Sequence, residues 1–169
     1  MTVIVNTTVI SNFAAIGQVD ILRRLFGSVT IAMEVYDEVM AGLDEGYEFY
    51  SGLRECCAPF SEQGWIRVVC LHTDDEIRMF ERFPASLHRG EAASMAIAYH
   101  RGLIFLTDDR AARKAARRHG IPISGSLGCL VACVERGLAD ADQANSWLNR
   151  MIEQGFRSPV RDLRELMKS

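Results

Sequence analysis

Short β-branched or aliphatic runs recur along the chain, and each is followed by a stretch whose apolar residues fall at helical spacing; no other feature constrains the fold as tightly. Val3-Ile4-Val5, Val29-Thr30-Ile31, residues 65–69, Leu103-Ile104-Phe105-Leu106 and Gly120-Ile121-Pro122-Ile123 read as strands. Uniformly apolar runs of this kind suit a sheet buried on both faces. Residues 9–26, 34–40, 74–82, 89–100, 110–119 and 127–136 read as helices. Gly17 is expected to break the first of these in two, and Gly27 to stop it. Tyr99 is placed with Ala92, Ala93, Ala96 and Ile97 on the buried side of its helix, and Gly102 caps that helix. The stretch 41–64, with Gly42, Gly46, Gly52 and Pro59, is less regular and is expected to be partly helical. Pro122 cannot donate to a ladder, so the last strand belongs at an edge. Alternating strands and helices give an α/β fold, a parallel sheet covered on both faces.

Two further helices are expected in the tail. Asp140 or Asp142 caps one that buries Trp147, Leu148, Met151 and Ile152 and ends at Gly155. Ser158 as N-cap and Pro159 at the first helical position open another, with Val160, Leu163, Leu166 and Met167 on one face. No composition break or internal repeat divides the 169 residues. The expected organisation is a single domain, 1–169, with a core over 1–137 and a C-terminal helical extension over 138–169.

The net charge of −3 is not the footprint of a strongly basic nucleic-acid-binding domain, so any such contact must use a local patch. No apolar run spans a bilayer, and the N-terminus lacks a basic region and a cleavage site. The expectation is a cytoplasmic protein with no membrane partner. Five cysteines, an odd count without a CxxC pair, point to reduced thiols. Cys129 and Cys133 lie four apart on a helix without a flanking His, which suits buried thiols better than zinc.

In an open parallel sheet, ligands bind beyond the carboxyl ends of the strands, where the strand order reverses. Asn6 directly follows the first strand, and Asp108 and Asp109 follow the strand 103–106. Glu38 and Glu91 lie on the helices 34–40 and 89–100. Carboxylates converging on one crevice repel each other unless a hard cation with oxygen ligands, Mg²⁺ or Mn²⁺, sits among them. Such an ion polarises a phosphate and acidifies water. Taken singly, an Asp after a strand is an ordinary N-cap and Glu38 an ordinary solvated helix residue; the ordered set carries the reading. Arg110, Arg113, Lys114, Arg117 and Arg118 fall on one face of the next helix, opposite Ala111, Ala112, Ala115 and Ala116. A phosphate backbone lying along that stripe would bring one linkage over the acids; standing alone, the stripe would be a solvated charged face. Gly125-Ser126-Leu127-Gly128 is a strand-to-helix turn whose N–H groups could meet a phosphate, a weak signal. GxxxxGK(S/T), GxGxxG after the first strand, GxSxG and HExxH are all absent. His88 lies near Glu91 and is read as a surface histidine.

These residues resemble the PIN-domain family, whose opening motif is a hydrophobic strand followed by Asp-Thr-Ser. Val3-Ile4-Val5-Asn6-Thr7-Thr8 matches that opening; Val35-Tyr36-Asp37-Glu38-Val39, Gly90-Glu91-Ala92-Ala93 and Leu106-Thr107-Asp108-Asp109-Arg110 match the second, third and fourth acidic motifs in order. The segments 120–128 and 155–159 are similar to a VapC-related branch of that family, so the resemblance covers nearly the whole chain. It implies a three-layer α/β/α fold with strands in the order 3-2-1-4-5 and a crevice between the first and fourth. It further implies Mg²⁺- or Mn²⁺-dependent cleavage of RNA, the toxin role in a toxin–antitoxin pair with an antitoxin protein as partner, and a homodimer. By the same resemblance Asn6, Glu38, Glu91 and Asp109 form the catalytic metal site with Asp108 beside them, Thr8 and Thr107 support it, and the stripe from Arg110 to Arg118 holds RNA. The departure is Asn6, where the family has aspartate. Whether inherited or introduced, the amide keeps a carbonyl oxygen and loses the charge, so weak or absent cleavage is expected, and a module that binds RNA or an antitoxin-like protein without cutting is the alternative. A small-molecule enzyme using these acids on a phosphorylated metabolite is a third reading; it requires that RNA neither bind nor compete.

Overall fold

The structure is a computed structural model and describes residues 2–167. Its centre is the strand β1 (Val3–Val5), three β-branched residues with no exposed surface. β1 pairs in parallel with β2 (Val29–Ala32) on one side and with β5 (Ile104–Leu106) on the other. β4 (Ile66–Val69) extends the sheet beyond β2, and β6 (Ile123–Ser124) extends it beyond β5. The expected order therefore holds, with one addition. Cys57–Ala58 forms a sixth, two-residue strand, β3, on the outer edge of β4, giving the order β3-β4-β2-β1-β5-β6. Two residues among Gly52, Pro59 and Gly64 carry no periodicity, and only pairing with Ile66 and Arg67 makes them a strand.

The helices are α1 (Thr7–Ala15), α2 (Asp20–Phe26), α3 (Met33–Asp44), α4 (Asp74–Arg82), α5 (Arg89–Arg101), α6 (Arg110–Arg118), α7 (Ser126–Glu135), α8 (Ala141–Glu153) and the short α9 (Arg164–Met167). Gly17, at φ +70°, separates α1 from α2 as its position suggested, because a left-handed residue cannot continue a helix. Thr73 and Glu76 close a capping box on α4. The stretch 45–64 holds two short 3₁₀ turns, Glu48–Tyr50 and Arg54–Cys56.

Three expectations shift. The last strand is Ile123–Ser124, not 120–123: Pro122 lies before it and contributes only its carbonyl, which accepts from Phe105 N at 2.9 Å. Tyr99 is 53% exposed, lying with His100 beside α4 at the rim of a cavity rather than on the buried side of α5 with Ala92, Ala93, Ala96 and Ile97. Ser158-Pro159 does not open a helix. The Ser158 hydroxyl donates to Val160 O, turning the chain, and α9 begins only at Arg164, with Leu166 exposed. Asp140, not Asp142, caps α8 by accepting from Gln143 N at 2.7 Å. The buried core runs from Val3 to Leu163 and includes Trp147, Leu148 and Met151 of α8. Cys57, Cys129 and Cys133 are buried free thiols, and burial pushes the Cys57 thiol up to about 11. No helix among the described residues is long and apolar enough to cross a membrane.

Candidate functional site

Sheet register builds the site. Val5 lies opposite Leu106, and the Asn6 N–H continues the ladder by donating to Leu106 O at 2.8 Å. Asn6 and Thr107, 101 residues apart in sequence, thus meet where β1 and β5 end, at the point where the strand order reverses. The Asn6 amide Nδ2 donates to Thr107 Oγ1 at 2.9 Å. Thr107 Oγ1 also accepts from Asp109 N at 3.2 Å, and Thr8 Oγ1 accepts from Asp108 N at 3.0 Å. Asn6 is 1% exposed, and its Oδ1 is buried without a hydrogen-bond partner. A buried acceptor left unpaired costs about 1–3 kcal/mol, so it marks a place where a donor or a cation is missing.

The two adjacent aspartates part company. Asp108 accepts from Ser126 N at 2.9 Å and Ser126 Oγ at 2.5 Å, and from Asn12 Nδ2 at 2.8 Å. It thereby ties α1 and the start of α7 to the end of β5. Asp109 caps α6 through Oδ1, which accepts from Ala112 N at 2.8 Å, and among the described residues no protein donor bonds its second oxygen. The N-cap reading holds at Asp109.

Glu38 arrives from α3 and Glu91 from α5. Glu38 Oε2 accepts from Thr7 Oγ1 at 2.6 Å and Oε1 from Gly90 N at 3.1 Å, so both oxygens have protein donors. A Cβ on Gly90 would lie 2.5 Å from Glu38 Oε1; glycine is what allows α5 to come this close to α3. Glu91 is 5% exposed, and its Oε2 accepts from His88 N at 3.0 Å. Burial first, then the charges of Asp109 and Glu38, push the Glu91 carboxyl above its ordinary value, against the opposing His88 N–H. The charges of Glu38 and Asp109 thus act on the Glu91 carboxyl. His88 itself is exposed.

The basic stripe is only partly free. The Arg113 guanidinium donates to Thr107 O at 2.8 Å and Ser124 O at 3.2 Å, bracing the ends of β5 and β6. Arg110, Lys114, Arg117 and Arg118 are exposed, and no hydrogen bond or ion pair holds them among the described residues. Sequence reasoning gave no separate role to Thr7 or Asn12, whose partners Glu38 and Asp108 lie more than 30 residues away, and read Ser126 only as part of a Gly-rich turn, not as a donor to Asp108. A crevice of about 530 Å³ opens at Asp108 and Asp109, lined also by Thr8, Asn12 and Arg110. A separate cavity of about 360 Å³, near Arg82, His100 and His119, touches none of these residues.

The sequence profile of a family described as a PIN domain matches residues 2–169. The chain belongs to the PIN-domain family. No curated protein matches it. PIN domains are generally nucleases and typically use divalent metals, so the residues of this PIN domain must be tested against such an ion. Among the described residues, no three His, Cys, Asp or Glu side chains are grouped closely enough to hold a metal. An all-protein carboxylate cage therefore does not fit. A water-rich Mg²⁺ or Mn²⁺ site fits better, since Mg²⁺ is commonly held by one or two carboxylates plus substrate phosphate. Glu91 and Asp109 each keep an oxygen without a protein donor, and the orphaned Asn6 Oδ1 is a third, neutral oxygen.

Proposed function

We propose that this PIN domain is an endoribonuclease of the VapC-like branch, dependent on Mg²⁺ or Mn²⁺, whose cleavage is weakened or silenced by Asn6. The observation that carries this is the buried Asn6 Oδ1, left without a hydrogen-bond partner where β1 ends and the strand order reverses, in a chain whose Asp109 charge helps to raise the Glu91 carboxyl. Glu91 and Asp109, with Asn6 Oδ1, would hold the ion; Glu38, occupied by Thr7 and Gly90, and Asp108, occupied by Asn12 and Ser126, orient the elements around it. When bound, the ion neutralises charge on the phosphodiester being cut and acidifies the attacking water. Arg110, Lys114 and Arg117 bind the backbone of the RNA strand. The proposal includes the toxin role in a toxin–antitoxin pair, an antitoxin protein as partner, a homodimeric state and a cytoplasmic location, each supported by the motif resemblance.

The neutral amide at position 6 favours a second reading, in which the chain binds RNA or an antitoxin-like protein without cutting. One comparison separates the two: cleavage of single-stranded RNA with Mn²⁺ by the chain as it stands and by Asn6→Asp. Cleavage confined to Asn6→Asp supports a correct but silenced site. A folded Asn6→Asp protein inert toward varied RNAs removes the nuclease reading.

A further inference from the structure

We propose that the cavity between the start of α7 and the 155–159 loop is a pocket for an unpaired nucleobase of the RNA strand, a contact outside the acid cluster; this rests on the endoribonuclease reading above. Two segments 30 residues apart, both prominent in the sequence yet without a role in the acid cluster, meet here: Gly125–Gly128 and Gly155–Pro159. The cavity measures about 660 Å³, within the roughly 300–1,000 Å³ of small-ligand pockets. Phe156, Leu127 and Pro159 give it apolar walls, and Arg110 and Arg157 supply exposed cations.

The cavity adjoins the crevice that Asp109 lines: Asp108, Arg110, Phe156 and Arg157 line both spaces, so a strand with a phosphate over Asp109 has the pocket beside it. Neither Arg110 nor Arg157 has a hydrogen-bond or ion-pair partner among the described residues, which leaves both for phosphate oxygens. Asp108, the anion on the shared wall, has its oxygens engaged by Asn12 and Ser126 and is not open to a second partner. An aromatic ring beside free guanidinium groups is the chemistry that binds single strands, where bases stack on aromatic faces and cations track the backbone. A base paired in a duplex is stacked within its helix and cannot enter. The pocket thus contributes affinity for unpaired residues, whatever the base, and positions the neighbouring linkage over the acids.

The test is binding of a short fluorescent single-stranded RNA, the same strand with abasic riboses, and its duplex, by anisotropy in EDTA, where cleavage plays no part. The parent chain is expected to prefer the base-bearing single strand over both others. Phe156→Ala should weaken that strand about 5- to 100-fold and leave the abasic strand unchanged; Phe156→Tyr should restore the preference. Arg157→Glu, at an exposed position, should weaken both single strands and keeps the test open if Phe156→Ala does not fold. Equal binding of abasic and base-bearing strands, parent-like affinity in folded Phe156→Ala or in Arg157→Glu, or no binding of any strand overturns the pocket. Base-dependent binding together with an inert Asn6→Asp variant would instead remove the nuclease reading and leave the pocket standing.

Discussion

Replacing Asn6 by Asp tests the site through stability as well as activity. The side chain is 1% exposed and isosteric with aspartate, so packing does not change. The Thr107 hydroxyl, which accepts from Asn6 Nδ2, can turn and donate to the new carboxylate. What changes is charge: a buried anion joins a neighbourhood that already pushes Glu91 upward. An uncompensated buried charge costs about 3–5 kcal/mol, and the open crevice favours the lower end, about 3 kcal/mol. For a chain of this size that lowers Tm by about 6–12 °C in EDTA. Mn²⁺ at about 100 times its Kd returns about 2.7 kcal/mol, which offsets most of the loss. The parent, one charge poorer, should show a much smaller Mn²⁺ shift. Differential scanning fluorimetry of both proteins with EDTA and with Mn²⁺ measures all four values. Equal melting in EDTA with equal Mn²⁺ shifts would refute the idea that position 6 faces a cation site.

Three further outcomes follow from the same contacts. Glu91→Gln keeps an acceptor for His88 N–H and removes the charge, so it should stabilise the metal-free protein by about 1 kcal/mol at pH 7. Because the folded carboxyl is raised, that gain should shrink as pH falls through the raised value, and urea melts across pH would show it; a gain independent of pH counts against it. Arg113→Ala should cost about 1–3 kcal/mol by stripping a donor from Thr107 O and Ser124 O. Lys114→Ala with Arg117→Ala should leave stability nearly unchanged but flatten the salt dependence of RNA binding by about 0.7 per cation; the reverse pattern would return Arg113 to the RNA surface. Away from the site, Arg101 donates to Glu76 at 2.7 and 3.1 Å and holds its carboxyl down at about 2. The unfolded chain keeps the ordinary value of 4.5, so this pair stabilises fully above that pH and its contribution is lost as pH falls from 4.5 to about 2. Allowing for screening at the 27%-exposed Arg101, the effect is about 2 kcal/mol, and the stability gap between parent and Glu76→Gln should close over that window.

Much of the fold was legible because its signals are local. Val3–Val5, Val29–Ala32 and Ile104–Leu106 announce buried strands by composition, and Gly17, Thr73 and Asp140 act on immediate neighbours. The order of the acids was legible too, since the ends of β1 and β5 are sequence positions once the strands are known. Illegible were Cys57–Ala58, a strand only by virtue of its neighbour β4, and Ser158, whose hydroxyl turned to Val160 O rather than capping a helix.

The sequence by itself determined an α/β chain with an ordered set of acids and an amide directly after its first strand. Tertiary structure alone decided what each polar group does. Asp108 braces α1 and α7 while Asp109 keeps an oxygen open, Arg113 turns from the stripe to two backbone carbonyls, and Phe156 and Arg157 come to line the crevice. The reason is physical: periodicity and capping report on residues within a few positions, whereas hydrogen bonds and burial at the site join segments up to 114 residues apart, and Asn6 acquires its orphaned oxygen only when β1 lies against β5.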